Sequence, residues 1–327
     1  MATTADYLNK LIEQKNTLAD NLVIKGVTAT HEETLETLVP KVLDITSDSG
    51  ISPIGEDGRP TGNVAVSEDV STLSQYVFYT AANVQSVSLP SSLINIKNSA
   101  FYKCTGMSSL TFQGNNDITV EASAFESCTS LGNINFNNVT LNLAGSYTFR
   151  SCNNLNNETV ENIINHLSNC GMQTFYQNSS ITDISASKLG TGMFNNCSNL
   201  NHCKVLNGVT NMPASVFIRC SKLKTLELPA TITSETSSSM SGVATTSLYF
   251  CAGCTALEDV KLGQGWNMAL NLSVSNNLTV DSMVAMFGNL KDLTDETAKT
   301  LTLGATNLAK LSDEQKAIAT NKNWTLA

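Results

Sequence analysis

Ser99-Ala100-Phe101-Tyr102-Lys103-Cys104-Thr105-Gly106-Met107-Ser108-Ser109-Leu110-Thr111-Phe112 returns one turn later as Ala124-Phe125-Glu126-Ser127-Cys128-Thr129-Ser130-Leu131-Gly132-Asn133-Ile134-Asn135-Phe136. Both stretches read Ala-Phe-x-x-Cys-x-x-apolar-x-x-apolar-x-apolar. Aligned on the Cys position, units fall at Ala81, Cys104, Cys128, Cys152, Asn178, Cys197, Cys220, Cys254 and Ser275, with separations of 23, 24, 24, 26, 19, 23, 34 and 21 residues. Periods of this size belong to solenoids, in which each unit packs only on its neighbours. The aromatic three residues earlier is Phe78, Phe101, Phe125, Phe149, Phe175, Phe194 or Phe217, and Cys251 stands in its place before Cys254.

After each Cys position comes a strand-like segment: Val84 to Leu89, Met107 to Phe112, Leu131 to Phe136, Ile181 to Ala186, Leu200 to Val205, Leu223 to Leu228 and Leu257 to Leu262. The first, fourth and sixth residues of each are mostly apolar. On a strand the fourth and sixth share one face, the third and fifth the other. Stacked in parallel, such strands bury one ladder and expose two columns along the inner curve. Those columns are Ser86 and Ser88, Ser109 and Thr111, Asn133 and Asn135, Asp183 and Ser185, His202 and Lys204, Thr225 and Glu227, and Asp259 and Lys261. They are uncharged toward the N-terminal end and mixed in charge toward the other. Short hydroxyls and amides offer many donors and acceptors with little side-chain entropy to lose, which suits a glycan or an extended polar chain; a merely solvated sheet would look the same.

The repeated pattern resembles the BspA-like leucine-rich repeat family, whose units carry Ala-Phe-x-x-Cys-x-x-Leu-x-x-Ile-x-Leu-Pro. The resemblance covers roughly residues 64–275 and departs from the family at Asn178, at Cys251 and in the spacing around Asn178 and Cys254. It implies an α+β repeat solenoid with a parallel sheet on the inner curve. Asn153 to Leu167 and Asn276 to Leu290 match each other: Ile163, Ile164 and Leu167, and Val284, Phe287 and Leu290, make helical stripes where a strand would continue. Each is expected as a helix on the solenoid rim.

Residues 1–45 read as a helical module for docking or self-association, with Leu8, Leu11, Leu18 and Leu22 in heptad-like steps and Leu35, Leu38 and Val42 on a second helix opened by Thr30 and Glu33. A helical hairpin packed on the body is the plainer alternative. Residues 46–63, rich in Gly, Pro, Ser and Asp, read as a linker, 64–275 as the solenoid and 276–327 as a helix-strand-helix cap. In that cap Thr300 to Gly304 reads as a strand, Ser312-Asp313-Glu314-Gln315 as a capping box and Trp324-Thr325-Leu326 as the close. The 34-residue unit places Thr231 to Thr246 in a projecting loop.

The two ends, with Lys25-Gly26-Val27, Glu32 to Leu43 and Thr300 to Ala327, also resemble tail-associated phage and prophage proteins of gut Firmicutes. That likeness implies a virion protein assembled in the bacterial cytoplasm, docked by its N-terminal module as an oligomer, a trimer by expectation, with a distal array that contacts a host glycan or protein. A bacterial cell-surface or secreted adhesin and an intracellular scaffold are the other readings.

Charged residues make up 14% of the chain, against roughly 25% in ordinary globular proteins, and the formal charge is −9. Nucleic acid and anionic lipid are therefore poor partners, and no stretch approaches a membrane span. The nine cysteines are odd in number and mostly periodic, so Cys104, Cys128, Cys152, Cys197 and Cys220 read as small buried hydrophobes. Cys251-Ala252-Gly253-Cys254 has the spacing of a zinc or redox pair, but no further ligands stand nearby; Cys170 and Cys203 have no evident partner. His31, His166 and His202 are scattered, and Glu258 and Asp259 would point to opposite faces of a strand. With no phosphate loop and no nucleophile elbow, the chain reads as non-enzymatic, without cofactor or metal.

Overall fold

The computed structural model describes residues 11–19, 30–38, 51–54, 60–236 and 250–327. Residues 11–19 and 35–38 are helical. The repeats begin through β1 (Ile51–Ile54), β2 (Pro60–Val66), β3 (Thr72–Leu73), β4 (Val84–Leu89), β5 (Asn95–Ile96), β6 (Ser109–Phe112), β7 (Asp117–Val120), β8 (Asn133–Asn135) and β9 (Thr140–Leu143). Helix α1 (Asn157–Asn165) and β10 (Leu167–Asn169) follow, then β11 (Asp183–Ala186), β12 (His202–Val205), β13 (Asn211–Met212), β14 (Thr225–Leu228), β15 (Ser234–Glu235), β16 (Asp259–Leu262) and β17 (Leu270–Asn271). The chain closes with α2 (Val280–Asn289), β18 (Lys299–Thr302), α3 (Ala305–Leu308), α4 (Asp313–Thr320) and β19 (Trp324–Leu326).

Each coil contributes a strand to one face and, in most coils, a shorter strand to a second. The first face holds β1-β2-β4-β6-β8, parallel except for the β1–β2 pair, and farther along β11-β12-β14-β16. The second face holds β3-β5-β7-β9-β10, then β13-β15, then β17-β18-β19. The stretch read as a linker thus supplies β1 and the start of β2, whose antiparallel pairing covers the edge at which the parallel ladder starts. Only β4 begins where the six-residue segments predict, because Val84 pairs with Gly62 of β2; β6, β8, β11, β12, β14 and β16 start two residues later, with their leading apolar residue (Met107, Leu131, Ile181, Leu200, Leu223, Leu257) buried in the preceding turn.

The Phe-x-x-Cys turn packs the interior. Phe78, Phe101, Phe125, Phe149, Phe175, Phe194 and Phe217 form one column, with centroids 4.6–5.9 Å apart and planes within 18°. Each such ring, fully buried, stabilises the fold by about 1.5–3 kcal/mol. At the next coil Phe250, one residue ahead of Cys251, supplies the ring edge-on to Phe217 at 6.4 Å, so the aromatic is shifted rather than lost. The residues two before and two after Phe101, Ser99 and Lys103, have φ of 54° and 57°, and the same pair recurs around the neighbouring rings. Left-handed non-glycine backbone costs of order 1–2 kcal/mol per residue. Here it aims Ser99, Phe101 and Lys103 N–H at the carbonyls of Ala122, Ala124 and Glu126 at 2.8–3.0 Å, which ties each turn to the next. The Cys thiols complete the turn: Sγ of Cys104, Cys128, Cys152, Cys197, Cys220 and Cys254 donates to the Phe carbonyl one coil back at 2.9–3.2 Å.

Both repeat-breaking helices differ from expectation. They take the place of a first-face strand and do not sit on the rim: α1 lies between β8 and β11, and α2 covers β16. Asn156 caps α1 by accepting from Thr159 N at 2.8 Å, and Val160, Ile163 and Ile164 are buried beneath it. Leu167, read as part of that stripe, belongs to β10. A helix has no main-chain groups left for a strand edge, so side chains serve instead. Thr159 Oγ1 donates to Gly132 O at 2.8 Å, Glu161 Oε1 accepts from Ser185 N at 2.6 Å, and Ser282 Oγ accepts from Val260 N at 2.8 Å.

The terminal cap matches its sequence signals. Ser312 and Gln315 form a reciprocal capping box at the start of α4. Trp324 is buried in β19, and its Nε1 donates to Lys291 O at 2.9 Å. At the other end Thr30 N donates to Glu33 Oε1 at 2.9 Å, Leu38 is fully buried, and Leu11 and Leu35 are 53% and 39% exposed. Leu8, Leu22, Val42, the Lys25-Gly26-Val27 motif and residues 237–246 of the expected loop lie outside the described residues.

Candidate functional site

The first face presents its outward columns in register. Asn63, Ser86, Ser109 and Asn133 form one row, Ala65, Ser88, Thr111 and Asn135 the next. Asn63, placed in the linker by sequence reasoning, joins the row because β2 pairs with β4, and its Oδ1 accepts from Ser86 Oγ at 2.8 Å. Gln113 Nε2 donates to Ser88 Oγ at 2.9 Å and Asn135 Nδ2 approaches Thr111 Oγ1 at 3.4 Å. No side chain in these two rows is charged.

Helix α1 ends this field. Where it rises beside β8 a cleft of about 470 Å³ opens, lined by Asn133, Asn135, Asn156, Glu158, Thr159, Glu161, Asn162 and Asn165. Among the described residues its lining holds five amides, two carboxylates and no cation. Phe136, stacked 4.3 Å from the His166 ring, braces the end of β8 against the C-terminus of α1. The α1 side chains of the cleft escaped the sequence reading. Their only signal was the density of Asn between positions 153 and 165, and a helix expected on the rim would have carried them away from the columns.

Beyond α1 the columns resume with different chemistry. One row is Asp183, His202, Thr225 and Asp259, the other Ser185, Lys204, Glu227 and Lys261. Glu227 is the hub, 2.9 Å from Lys261 Nζ, 3.7 Å from Lys204 Nζ and 3.7 Å from His202 Nε2, and His202 Nδ1 is 3.8 Å from Asp183. The hydrogen bond from Lys261, with the Lys261, Lys204 and His202 charges, holds the Glu227 carboxyl below its ordinary range; the same bond raises Lys261. The expected continuous columns are therefore two fields split by a helix. One is neutral and leads into a cleft; in the other, the charges largely satisfy one another.

The model for the BspA type leucine rich repeat region matches residues 71–187 and 162–261, together more than half of the 327 residues, in six copies. The chain is a member of the BspA-type leucine-rich repeat family. Solved structures similar to this BspA-type protein include the leucine-rich repeat protein of T. pallidum, 20% identical over 53% of this chain and 88% of that one, with a TM-score of 0.40. A leucine rich cell surface protein of Faecalibacterium prausnitzii A2-165 is 14% identical over 84% of this chain and 92% of that one, with a TM-score of 0.31. The pneumococcal vaccine antigen PcpA is 12% identical over 84% and 89%, with a TM-score of 0.32. Likeness at this level says nothing of ligands. A search of curated proteins found none that matches the chain.

Cys104, Cys128, Cys152, Cys197, Cys220 and Cys254 are packing and hydrogen-bonding elements of the BspA-type turn. All nine cysteines are free thiols. Burial lifts Cys152 and Cys197 to about 12 and the half-buried Cys170 to about 11. Cys251 is raised first by its hydrogen bond with Cys254 and then by burial. Cys203 points inward from β12. Among the described residues no cluster of three metal-binding side chains occurs, and no helix is long and apolar enough to cross a membrane.

Proposed function

We propose that this BspA-type repeat protein is a non-enzymatic adhesion protein that holds a neutral, extended polar ligand, a glycan chain foremost, on the β2–β8 field. The observation that carries this reading is the pair of uncharged, register-matched rows running into the Asn-lined cleft at α1. Amides both donate and accept, as sugar hydroxyls do, while the two carboxylates accept only and discourage an anionic ligand. A phage tail carrying the array outward for host recognition is the setting of this reading, which rests on the resemblance read from residues 25–43 and 300–327 of the sequence alone. A bacterial cell-surface adhesin is the second reading, favoured by membership of the repeat family itself.

The test is the double variant Asn133→Arg, Asn135→Arg, whose side chains face solvent. It should reduce attachment to host cells at least tenfold with an unchanged melting temperature. Undiminished attachment would remove the β2–β8 field as the contact. Gold-labelled antibody on purified particles distinguishes virion from cell surface.

A further inference from the structure

The second face has a gap. From Val205 to Phe217 a coil spends twelve residues on its second-face strand and turn, as from Leu89 to Phe101, but from Ala186 to Phe194 it has only eight. The unit of 19 residues therefore lacks a second-face strand, and among the described residues the face is interrupted between β10, which pairs only with β9, and β13, which pairs only with β15. Across the missing strand lies a groove of about 660 Å³, floored by Ser187 to Thr191 and walled by Ser168 to Met172 on one side and Gly208 to Pro213 on the other.

Three features of this groove point to one kind of occupant. First, its walls are two strand edges with no strand between them, and Lys188, Leu189, Gly190 and Thr191 donate their main-chain N–H to no acceptor among the described residues. Unpaired edges and donors of this kind take an added strand. Second, among the described residues Lys188 is the one charged residue of the lining, in a chain of net charge −9. Its Nζ rests on two main-chain carbonyls, Asn165 O at 3.1 Å and Leu167 O, and meets no carboxylate among the described residues, which leaves one of its three protons for a ligand anion. Third, Met172 is 45% exposed at the rim, an apolar contact beside the polar floor.

We propose that the groove between β10 and β13 binds an extended peptide segment that adds as a strand on the second face and places a carboxylate on Lys188. This site is separate from the β2–β8 field and does not depend on the adhesion reading. A floor with unpaired main-chain N–H groups from Lys188 to Thr191 suits main-chain contact, so recognition comes from the peptide backbone and one acidic group rather than from large side chains.

The probe is a fluorescein-labelled hexapeptide of alternating valine and threonine ending in aspartate, with a free C-terminus, titrated into the full chain by anisotropy. Saturable binding is expected, with amide shifts confined to residues 168–172, 187–191 and 208–213 in a nitrogen-15 correlation spectrum. Lys188→Met, and separately the amidated asparagine-ended peptide, should each weaken binding at least tenfold. Thr210→Trp, which fills the groove from an exposed wall position, should abolish it with an unchanged melting curve. No saturation with the probe overturns the proposal. So does full binding by Thr210→Trp, which would show a surface ion pair only.

Discussion

Asn178 Nδ2 donates to the Phe149 carbonyl at 2.9 Å, the bond that a Cys thiol makes to the preceding Phe carbonyl in the coils around it. The position selects a small buried donor rather than a thiol. Ser275, at the end of the array, still donates, but to Leu257 O at 2.7 Å.

This bond predicts the outcome of substitution. Cys128→Ala leaves the Phe101 carbonyl without its side-chain donor in a buried turn and should cost about 1–3 kcal/mol in urea unfolding. Asn178→Ala should cost a similar amount, and Asn178→Cys, which restores the thiol of the neighbouring coils, should recover most of it. If Cys128→Ala is neutral, the thiol acts only as a filler.

The thiols also predict an alkaline limit. Burial raises Cys128, Cys152, Cys170, Cys197, Cys203 and Cys220 above their ordinary value of 9.0, and the bond to Cys254 with burial raises Cys251. Above pH 9 the unfolded chain ionises these seven thiols while the folded chain keeps them protonated, so their contribution to stability is whole below that pH and falls as pH rises toward the folded values. Melting temperature should decline steeply from about pH 9, and the decline should soften in a Cys152→Ser, Cys197→Ser variant. In the native state at pH 8, iodoacetamide should reach Cys170 first and slowly, since a thiol at about 11 is ionised to about one part in a thousand there.

Glu227 sets a weaker, acidic limit. Its lowered carboxyl stabilises the fold above the pKa of the unfolded side chain, and that contribution is lost as pH falls through the folded value. Glu227→Gln should destabilise by no more than about 1 kcal/mol near pH 7, and the difference should shrink in 1 M salt and as pH falls below the unfolded value of 4.5. Calorimetry of both proteins across that range measures it.

Trp324 closes the array. Trp324→Ala removes a buried ring and orphans the Lys291 carbonyl, and should cost about 3–5 kcal/mol, as large buried aromatics do. Trp324→Phe should recover the packing but not the bond. A loss below 1 kcal/mol for the alanine variant would mean that the last coil is not part of the cooperative unit.

How far the site was legible follows from these residues. Ser86, Ser109 and Asn133 could be put in one row from spacing alone, since the repeat carries the register and a strand alternates faces with period two. Asn63 could not, because Gly, Pro and Asp around it conceal a strand that only pairing with β4 creates. Nor could Asn162 and Asn165: a 3.6-residue stripe reveals a helix but not the slot it occupies.

By itself the sequence determined the solenoid, the buried Phe and Cys ladder and the outward columns, because these are local periodicities repeated coil after coil. Tertiary structure alone decided that α1 takes a strand's place and splits the first face, that the same helix makes a cleft with β8, and that a unit of 19 residues opens a groove on the second face. These features arise from differences between adjacent coils. A repeat-by-repeat reading cannot see them, since a missing or replaced strand has consequences only for the neighbours left unpaired on either side.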